Sequence, residues 1–410
     1  MNNTPELLSP AGDLDKMRFG IAYGADAVYM AGTRFGMRAA ATNFDDNALR
    51  EGIAYAHAHG VKCYITVNIM PSNRDLPALP AYLELLQDAG ADALIIADVG
   101  VLRMARRYAP KVPVHISTQT SILNHEAANY WADEGAERIV LARELSLEEI
   151  AEIRAKTPKE LEIEAFVHGA MCISYSGRCL ISQYMTGRDA NHGACAQPCR
   201  WNYSLMEEKR PGQFFPVEED GRGTYLYNSK DMCMIEHVPE LIEAGITSFK
   251  IEGRNKTAYY AACVTGAYRA AIDTYKKDPE NFVLPQFCRD EVNKVSHREY
   301  YTGFYFGNQE NGQHYGDSQY IREYEVVGMP VECDDSGKAV FALKNRFFDG
   351  EELELIQPGQ APYVFRAENV TDDEGTKREL FNVPQMRVHF AFPFKVSEWA
   401  ILRKAKERPE

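Results

Sequence analysis

The stretch that decides the fold is residues 90–98, GADALIIAD. It begins with a glycine, which can close a helix in the left-handed conformation, and continues at once into a short apolar run that ends in a carboxylate. The same opening recurs as GADA at residues 24–27 and as GAE at residues 135–137. Each copy therefore predicts the end of a helix followed directly by a strand.

Eight short apolar runs lie between residues 6 and 253, and most are followed by a helical pattern. Strands that alternate with helices predict βαβ units in a parallel sheet, and eight of them predict a closed, TIM-like (β/α)8 barrel over residues 1–300. The runs are residues 6–10, 25–31, 62–69, 93–98, 114–119, 138–142, 162–168 and 248–252.

The pattern changes after residue 300. A polar, Gly-rich stretch predicts a linker over residues 301–320. From residue 321 to residue 405 short apolar runs alternate with turn clusters such as DDSG and DDEG. This pattern predicts a small antiparallel β-barrel as a second domain.

Composition limits the partners of the chain. No apolar run approaches the roughly 18 residues that a membrane helix requires, and the start of the chain lacks the basic residues and apolar core of a signal peptide. We therefore expect a cytoplasmic protein that does not enter a membrane. The formal net charge of -14 disfavours a general nucleic-acid binder, because affinity for phosphate comes from Lys and Arg. An RNA partner would need a local basic patch or a second subunit.

Four cysteines with the spacing C-x6-C-x15-C-x3-C lie between residues 164 and 203: Cys172, Cys179, Cys195 and Cys199. Disulfides are rare in a reducing cytosol. Zinc sites typically use two-residue knuckles such as C-x2-C, which this segment lacks, whereas iron–sulfur clusters accept looser spacings. The spacing favours a cluster and leaves zinc open as the alternative. Cys233 is close enough in sequence to replace one of the four ligands.

Polar residues at the ends of the predicted strands form a candidate site, because barrel active sites lie at the carboxyl ends of the strands. Residues 169–244 form an insertion after the seventh strand and should overhang this end. Alternation along that strand places Glu162, Glu164 and His168 on the face toward the barrel axis. The candidates are Asn68, Asp98, Ser117, Gln119, Arg143, Glu144, His168, Lys250 and Glu252.

Two interpretations of these inward charges remain open. Charges inside a barrel are costly unless they are paired, so they can form a buried network that only stabilises the barrel. Alternatively they line a pocket for a small carboxylated ligand, with Lys250, Arg254 or Arg143 as the opposite charges.

Long motifs in the chain resemble those of peptidase family U32, the collagenase-like peptidases. They are EAFVHGAMCISYSGRCLIS from residue 164, CAQPCRW from residue 195, NSKD at residues 228–231 and KIEGR at residues 250–254. Within this family the chain is most similar to the group implicated in making 5-hydroxyuridine at the wobble position of tRNA. Other relatives hydroxylate a cytidine of 23S rRNA.

The resemblance implies a [4Fe-4S] cluster on Cys172, Cys179, Cys195 and Cys199 and, in some members, dependence on prephenate, a dicarboxylate. We therefore expect an RNA-hydroxylating enzyme or component with tRNA and a small carboxylated co-substrate as partners, acting alone or as a homo- or hetero-oligomer with a related family member. The candidate catalytic residues are Lys250, Glu252, Arg254, His168 and Asn68.

Basic and aromatic residues near the cysteines are candidates for contacts with RNA: Arg178, Arg188, Arg200 and Lys256 for phosphate, and Tyr184, Trp201 and Tyr203 for stacking.

Proteolysis is the alternative that the family name suggests. The sequence has no HExxH motif, and no cysteine outside the cysteine-rich loop has an evident histidine partner. Hydroxylation of RNA is therefore the favoured function, with 23S rRNA as a second substrate to consider.

Overall fold

The computed structural model describes residues 4–37, 42–172, 174, 179–201, 229–307 and 320–406, together with the backbone of four two-residue strands between residues 205 and 224. No helix in these ranges is long and apolar enough to cross a membrane. Among the residues discussed above, Arg178, Tyr203 and Asn228 lie outside the described residues.

Strands and helices alternate through the first three quarters of the chain. The helices are α1 (Leu14–Ala22), α2 (Asp46–Ala58), α3 (Leu79–Ala89), α4 (Val99–Tyr108), α5 (His125–Asp133), α6 (Leu147–Ala155), α7 (Ile181–Thr186), α8 (Val238–Glu243), α9 (Ala258–Lys277) and α10 (Gln286–Asn293). The strands are β1 (Glu6–Pro10), β2 (Ala27–Met30), β3 (Lys62–Val67), β4 (Ala93–Ile96), β5 (Val114–Ile116), β6 (Arg138–Val140), β7 (Glu162–Ala170), β8 (Leu205–Met206), β9 (Phe214–Phe215), β10 (Glu219–Asp220), β11 (Gly223–Thr224), β12 (Asp231–Cys233), β13 (Ser248–Ile251) and β14 (Tyr300–Tyr301).

Eight of these strands close into a parallel barrel. β1 to β7 pair in chain order, and β13 pairs with both β1 and β7, which joins the two edges of the sheet. The predicted TIM-like barrel is therefore confirmed. Two further strands lie outside the barrel, beside the carboxyl-terminal part of β7. β12 runs antiparallel to β7, and β14 runs parallel to β12.

The three repeated glycines act as the sequence indicates. Gly24, Gly90 and Gly135 have φ angles of 98°, 84° and 76°, values that a glycine adopts without a steric penalty. Each follows a helix and leads into the next strand within three residues. At the other end of a helix, Ser146 and Glu149 form a capping box at the start of α6.

The second domain is an antiparallel sheet. Its strands are β15 (Tyr324–Cys333), β16 (Lys338–Leu343), β17 (Phe347–Phe348), β18 (Glu352–Ile356), β19 (Tyr363–Arg366), β20 (Thr371–Asp372), β21 (Leu380–Phe381), β22 (Arg387–Ala391) and β23 (Ile401–Ala405). Seven of them form one sheet in the order β19-β18-β23-β15-β16-β22-β20, and β17 pairs with β21. This half-barrel encloses its own core, which is rich in phenylalanine.

The start of the predicted linker is part of the barrel domain instead. Tyr301 lies in β14, and Tyr305 is buried and donates a hydrogen bond of 2.5 Å to the carbonyl of Phe166. The sequence did not indicate that Tyr301 and Tyr305 pack against the barrel, because the aromatic residues of this polar stretch alternate with glycine and asparagine. Residues 308–319 of the predicted linker lie outside the described part of the chain.

A buried arginine joins the two domains. Arg403 on β23 donates 2.7 Å from Nη1 to Glu291 Oε2 on α10 and 2.9 Å from Nε to Glu354 Oε2 on β18. Its side chain is fully buried, and a third hydrogen bond goes to the hydroxyl of Tyr259 on α9. Because two of these partners belong to the barrel domain, the network fixes the position of the half-barrel against α9 and α10.

Candidate active site at the barrel mouth

A buried ionic network fills the base of the barrel, where the strands begin. The guanidinium of Arg138 pairs with Glu6 at 2.6 Å, with Glu162 at 2.5 Å and with Glu164 at 3.0 Å. Ser248 donates 2.9 Å to Glu6. These residues lie at or near the first position of four neighbouring strands, so one arginine satisfies carboxylates that are far apart in sequence. We call this set the basal network.

Lys250 connects the basal network with the upper part of the barrel. Its ammonium lies 2.6 Å from Glu164 and 4.5 Å from the centre of the Tyr29 ring. A buried charge is stable only when it is paired in this way. The structural interpretation of Lys250 and Glu164 is thus supported, although Lys250 also lines the cavity above it.

That cavity measures about 160 Å³ and lies at the end of the barrel where the strands finish. We call this carboxyl end of the barrel the barrel mouth. The cavity brings together seven of the predicted candidates: Asn68, Ser117, Gln119, Arg143, Lys250, Glu252 and Arg254. The predicted location of the site at this end of the barrel is therefore supported by the geometry. Thr66 and Phe166, which sequence reasoning did not select, also line it.

Two arginines and an amide define the chemistry of this cavity. Arg143 donates 3.1 Å to the carbonyl of Ala170, and Arg254 donates 3.4 Å to the hydroxyl of Thr66 and a further hydrogen bond to the carbonyl of Met37. The side-chain nitrogen of Gln119 is buried without a hydrogen-bond partner among the described residues. A buried donor without an acceptor costs about 1–3 kcal/mol. The cavity thus offers positive charge and a donor to an acceptor-rich ligand.

Residues 172, 174 and 179–201, which we call the cysteine segment, cover the barrel mouth. Asn191 anchors the segment: its carbonyl accepts a hydrogen bond of 3.1 Å from the backbone of Met70, and its amide donates 3.3 Å to the carbonyl of Cys179. Ser182 on α7 donates 2.7 Å to the carbonyl of Arg188 and accepts 3.0 Å from the backbone of Ala196. These hydrogen bonds between polar side chains and backbone groups hold the described part of the segment in place.

All four cysteines of this segment line the barrel-mouth cavity. Cys172 is exposed and the other three are half-buried. The backbone N–H of Gln197 points at the sulfur of Cys195 at 3.4 Å, which is the kind of contact that stabilises a thiolate ligand. All four thiols line one cavity, while among the described residues no three His, Cys, Asp or Glu side chains are grouped so as to hold a metal ion. The cluster on these cysteines, with zinc as the alternative, therefore stays a prediction.

Three predicted candidates lie outside the cavity. The prediction that His168 faces the barrel axis is wrong, because the pairing of β7 with β13 shifts register between Lys250 and Ile251, and His168 pairs with Ile251. Its ring packs against Tyr260, Tyr268 and Tyr300 instead. Burial lowers the pKa of His168 to about 3.

The other two have local structural roles. Asp98 caps α4 by accepting a hydrogen bond from the backbone of Val101 at 3.0 Å. Glu144 does not line the cavity, and burial raises its pKa although the charge of Arg143 opposes that shift.

Cys233 does not line the cavity that the other four cysteines line, and its assignment as an alternative ligand stays a prediction. It lies opposite His168 on β12, on the outer side of β7. Burial raises the pKa of the Cys233 thiol to about 12. A cysteine protease needs a thiolate beside a basic histidine, whereas burial keeps both of these groups neutral.

A second, larger cavity of about 650 Å³ adjoins the first. Cys172, Cys195, Cys199 and Glu252 line both cavities. The opposite wall of the second cavity comes from the start of α9 and from β15 of the half-barrel. We call it the interdomain cavity. Its residues in the second domain were not predicted, because nothing in the sequence indicates that β15 faces the cysteines.

The family models match almost the whole chain. Peptidase family U32 matches residues 12–315, and the peptidase family U32 C-terminal domain matches residues 322–403. The chain belongs to peptidase family U32. The family resemblance inferred from the motifs is therefore confirmed.

Curated members of family U32 align over most of the chain. The chain is 39% identical to tRNA hydroxylation protein P1 of Bacillus subtilis, over 98% of this chain and 95% of that protein. It is 37% identical to tRNA hydroxylation protein P of Escherichia coli, over 90% of each chain. It is also 40% identical to the 23S rRNA 5-hydroxycytidine C2501 synthase of Escherichia coli, over 80% of this chain and 48% of that protein.

Proposed function

We propose that the chain is an iron–sulfur enzyme, or the catalytic component of one, that hydroxylates a wobble uridine of tRNA to 5-hydroxyuridine. The observation that carries the proposal is the ring of Cys172, Cys179, Cys195 and Cys199 around a cationic cavity at the mouth of a barrel. The names of the relatives supply the substrate class. When bound, a [4Fe-4S] cluster supplies single electrons.

The residues of the barrel mouth suit a small dicarboxylate such as prephenate. Arg143 and Arg254 bring two positive charges to one cavity, and Gln119 brings a buried donor that the described residues leave without an acceptor. Lys250 contributes less charge because Glu164 already pairs with it. In this arrangement the arginines and Gln119 hold the co-substrate below the cysteine segment, which keeps water out.

Binding of the co-substrate is tested by thermal unfolding of the purified, cluster-containing protein with increasing prephenate. A ligand at 100 times its Kd stabilises the folded state by about 2.7 kcal/mol, and we expect this gain in the wild type. Gln119→Leu removes the buried donor, so it should make the ligand-free protein slightly more stable and reduce the gain from prephenate. A gain that is equal in wild type and Gln119→Leu would contradict the assignment of this cavity.

The proposed activity is tested by mass spectrometry of nucleosides from tRNA of a strain that lacks the gene. The strain is complemented with the wild type, with Cys172→Ala or with Cys333→Ala, an exposed cysteine of the half-barrel that serves as the matched control. We expect 5-hydroxyuridine derivatives to return with the wild type and the control and to stay absent with Cys172→Ala. Unchanged tRNA nucleosides in every strain would refute the proposal.

Hydroxylation of 23S rRNA is the second candidate, because a synthase of that modification aligns with 80% of this chain. The same strains give rRNA for the same measurement. A modification that disappears from 23S rRNA while tRNA stays unchanged would transfer the assignment to rRNA. Peptidase activity, which the name of the family gives, is the other alternative.

A further inference from the structure

The two cavities that meet at the cysteine segment differ in size and therefore in the ligand that they can hold. Pockets for drug-sized ligands typically measure about 300–1,000 Å³, and a small dicarboxylate occupies less. The interdomain cavity, at about 650 Å³, falls within this range, whereas the barrel-mouth cavity, at about 160 Å³, lies below it. A nucleotide is too large for the barrel mouth as it stands, so the larger cavity is the one to consider for RNA.

The charged residues of the interdomain cavity are mostly basic. Lys256, Arg322 and Lys344 line it, against Glu252 as the single carboxylate among its described lining residues. Arg322 and Lys344 are exposed, so they are accessible to a ligand. In a chain whose net charge is -14, this is a local basic patch of the kind that contact with phosphate requires.

Lys256 is fixed in the wall of the cavity. Its ammonium lies 4.4 Å from the centre of the Tyr320 ring and donates 2.8 Å to the carbonyl of Ser296. Arg322 donates 3.2 Å to the hydroxyl of the same serine and lies 5.7 Å from the centre of the same ring. Two cations are therefore held on one side of the cavity before a ligand arrives, and the buried carboxylate of Asp231, 4.0 Å from the ammonium of Lys256, balances part of the charge of that lysine.

The remaining lining residues suit a base. Val326 and Met329 of β15 provide an apolar wall, and Gln197 and Asn255 are exposed side-chain amides. An amide both donates and accepts hydrogen bonds, as the edge of an unpaired base does. Apolar surface, amides and cations together match the base and the phosphate of one nucleotide, rather than a small carboxylate.

We propose that the interdomain cavity binds an unpaired nucleotide of the RNA substrate, with Lys256, Arg322 and Lys344 on its phosphates and Asn255 on the base. The inference rests on the proposed function and gives the second domain a role, since β15 and Lys344 form one wall. The base then faces Cys172, Cys195 and Cys199 from one side, and the co-substrate in the barrel mouth faces them from the other.

RNA binding is measured by fluorescence anisotropy of a labelled anticodon stem-loop with the cluster-containing full chain. The variant is Arg322→Gln with Lys344→Gln, and the matched control is Lys377→Gln, an exposed lysine of the same domain that lies outside both cavities. Each lost phosphate contact on a single strand lowers the slope of log K against log salt by about 0.7. We expect the double variant to bind more weakly and to show a slope about 1.4 shallower than the wild type, and the control to match the wild type.

A second variant tests the base. Asn255→Ala should reduce the preference for the stem-loop over the same loop with an abasic site at the wobble position, while the salt dependence stays unchanged. Equal affinity and slope in the wild type and the double variant would overturn the inference, and so would an unchanged preference for the base in Asn255→Ala. Circular dichroism and the visible absorption of the cluster check that each variant is folded and loaded.

The outcome for the site and the outcome for the activity can be separated. If the wild type restores 5-hydroxyuridine in cells while the double variant binds and modifies tRNA equally well, the cavity assignment fails and the activity stands. If the wild type restores no modification but the double variant loses affinity for RNA, the activity assignment fails and the binding site stands.

Discussion

Replacing Arg403 by methionine should uncouple the half-barrel from the barrel. The substitution keeps most of the apolar stem but removes the guanidinium that joins Glu291 and Glu354. Removing one partner of a buried ion pair costs about 3–5 kcal/mol, because it leaves a buried charge without compensation. Lys294 remains 2.9 Å from Glu354 and 3.7 Å from Glu291, so part of the charge stays balanced. We therefore expect a loss near the lower limit, about 3 kcal/mol.

The free energy of unfolding is measured by urea titration, followed by tryptophan fluorescence and circular dichroism. Arg387→Met is the matched control: Arg387 also pairs with two carboxylates, Glu332 and Asp373, but these pairs are exposed and exposed pairs contribute about 0–1 kcal/mol. Adding Glu291→Gln to Arg403→Met should recover part of the loss, because it removes the buried charge. If Arg403→Met and Arg387→Met lose equal stability, the network does not hold the domains together.

Three further predictions concern the barrel. The folded protein keeps His168 neutral down to a pKa of about 3, so the unfolded chain takes up a proton first as the pH falls through 6.5; between pH 6.5 and pH 5 the wild type should lose about 1.6 kcal/mol more than His168→Leu in urea unfolding. Glu164→Gln should cost about 3–5 kcal/mol in the same assay because it leaves Lys250 buried without its carboxylate. Cys179→Ala should lose most of its bound iron in anaerobic metal analysis and Cys233→Ala should keep it; equal iron in the two variants would contradict the ligand assignment.

The barrel was predictable because its signals are local. A glycine that ends a helix, an apolar run of four to six residues and a polar residue at its end each act over a few positions, and GADALIIAD contains all three. Strand lengths were less predictable: the run at residues 25–31 contains the shorter β2 at Ala27–Met30, whereas β7 extends beyond its run to Ala170. The excess residues of the first run lie on both sides of β2, with residues 25–26 before it and residue 31 after it.

The orientation of His168 was not predictable from alternation alone. Alternation assumes an unbroken register between neighbouring strands. The carboxyl-terminal part of β7 leaves the barrel and pairs with β12, and the register shift between β7 and β13 lies at the same place. Gly169 marks the place: its φ is 109°, and a Cβ there would lie 2.5 Å from the carbonyl oxygen of Glu252. A glycine inside a strand is the signal that identifies a bulge, and it directly follows the misplaced histidine.

Arg138 was missed for a different reason. Its three carboxylate partners, Glu6, Glu162 and Glu164, lie 132, 24 and 26 residues away along the chain, and only closure of the barrel brings them together. The sequence showed the carboxylates at strand starts but gave no means of selecting the cation that pairs with them. Pairing across a closed barrel depends on the stagger of the strands, which no single strand encodes.

The distribution of charge resolves the conflict between an acidic chain and an RNA substrate. The net charge of -14 is a sum over the whole surface, whereas phosphate responds mainly to charges within about 8–10 Å at physiological ionic strength. The cations that line the interdomain cavity are Lys256, Arg322 and Lys344, and the carboxylate that lines it is Glu252, while Asp231 lies 4.0 Å from Lys256 and Glu354 lies 3.3 Å from the hydroxyl of the lining Tyr324. An acidic exterior repels RNA from the rest of the surface, so it restricts binding to this cavity rather than preventing it. The same charge that weakens general affinity for nucleic acid therefore strengthens the preference for one docking position.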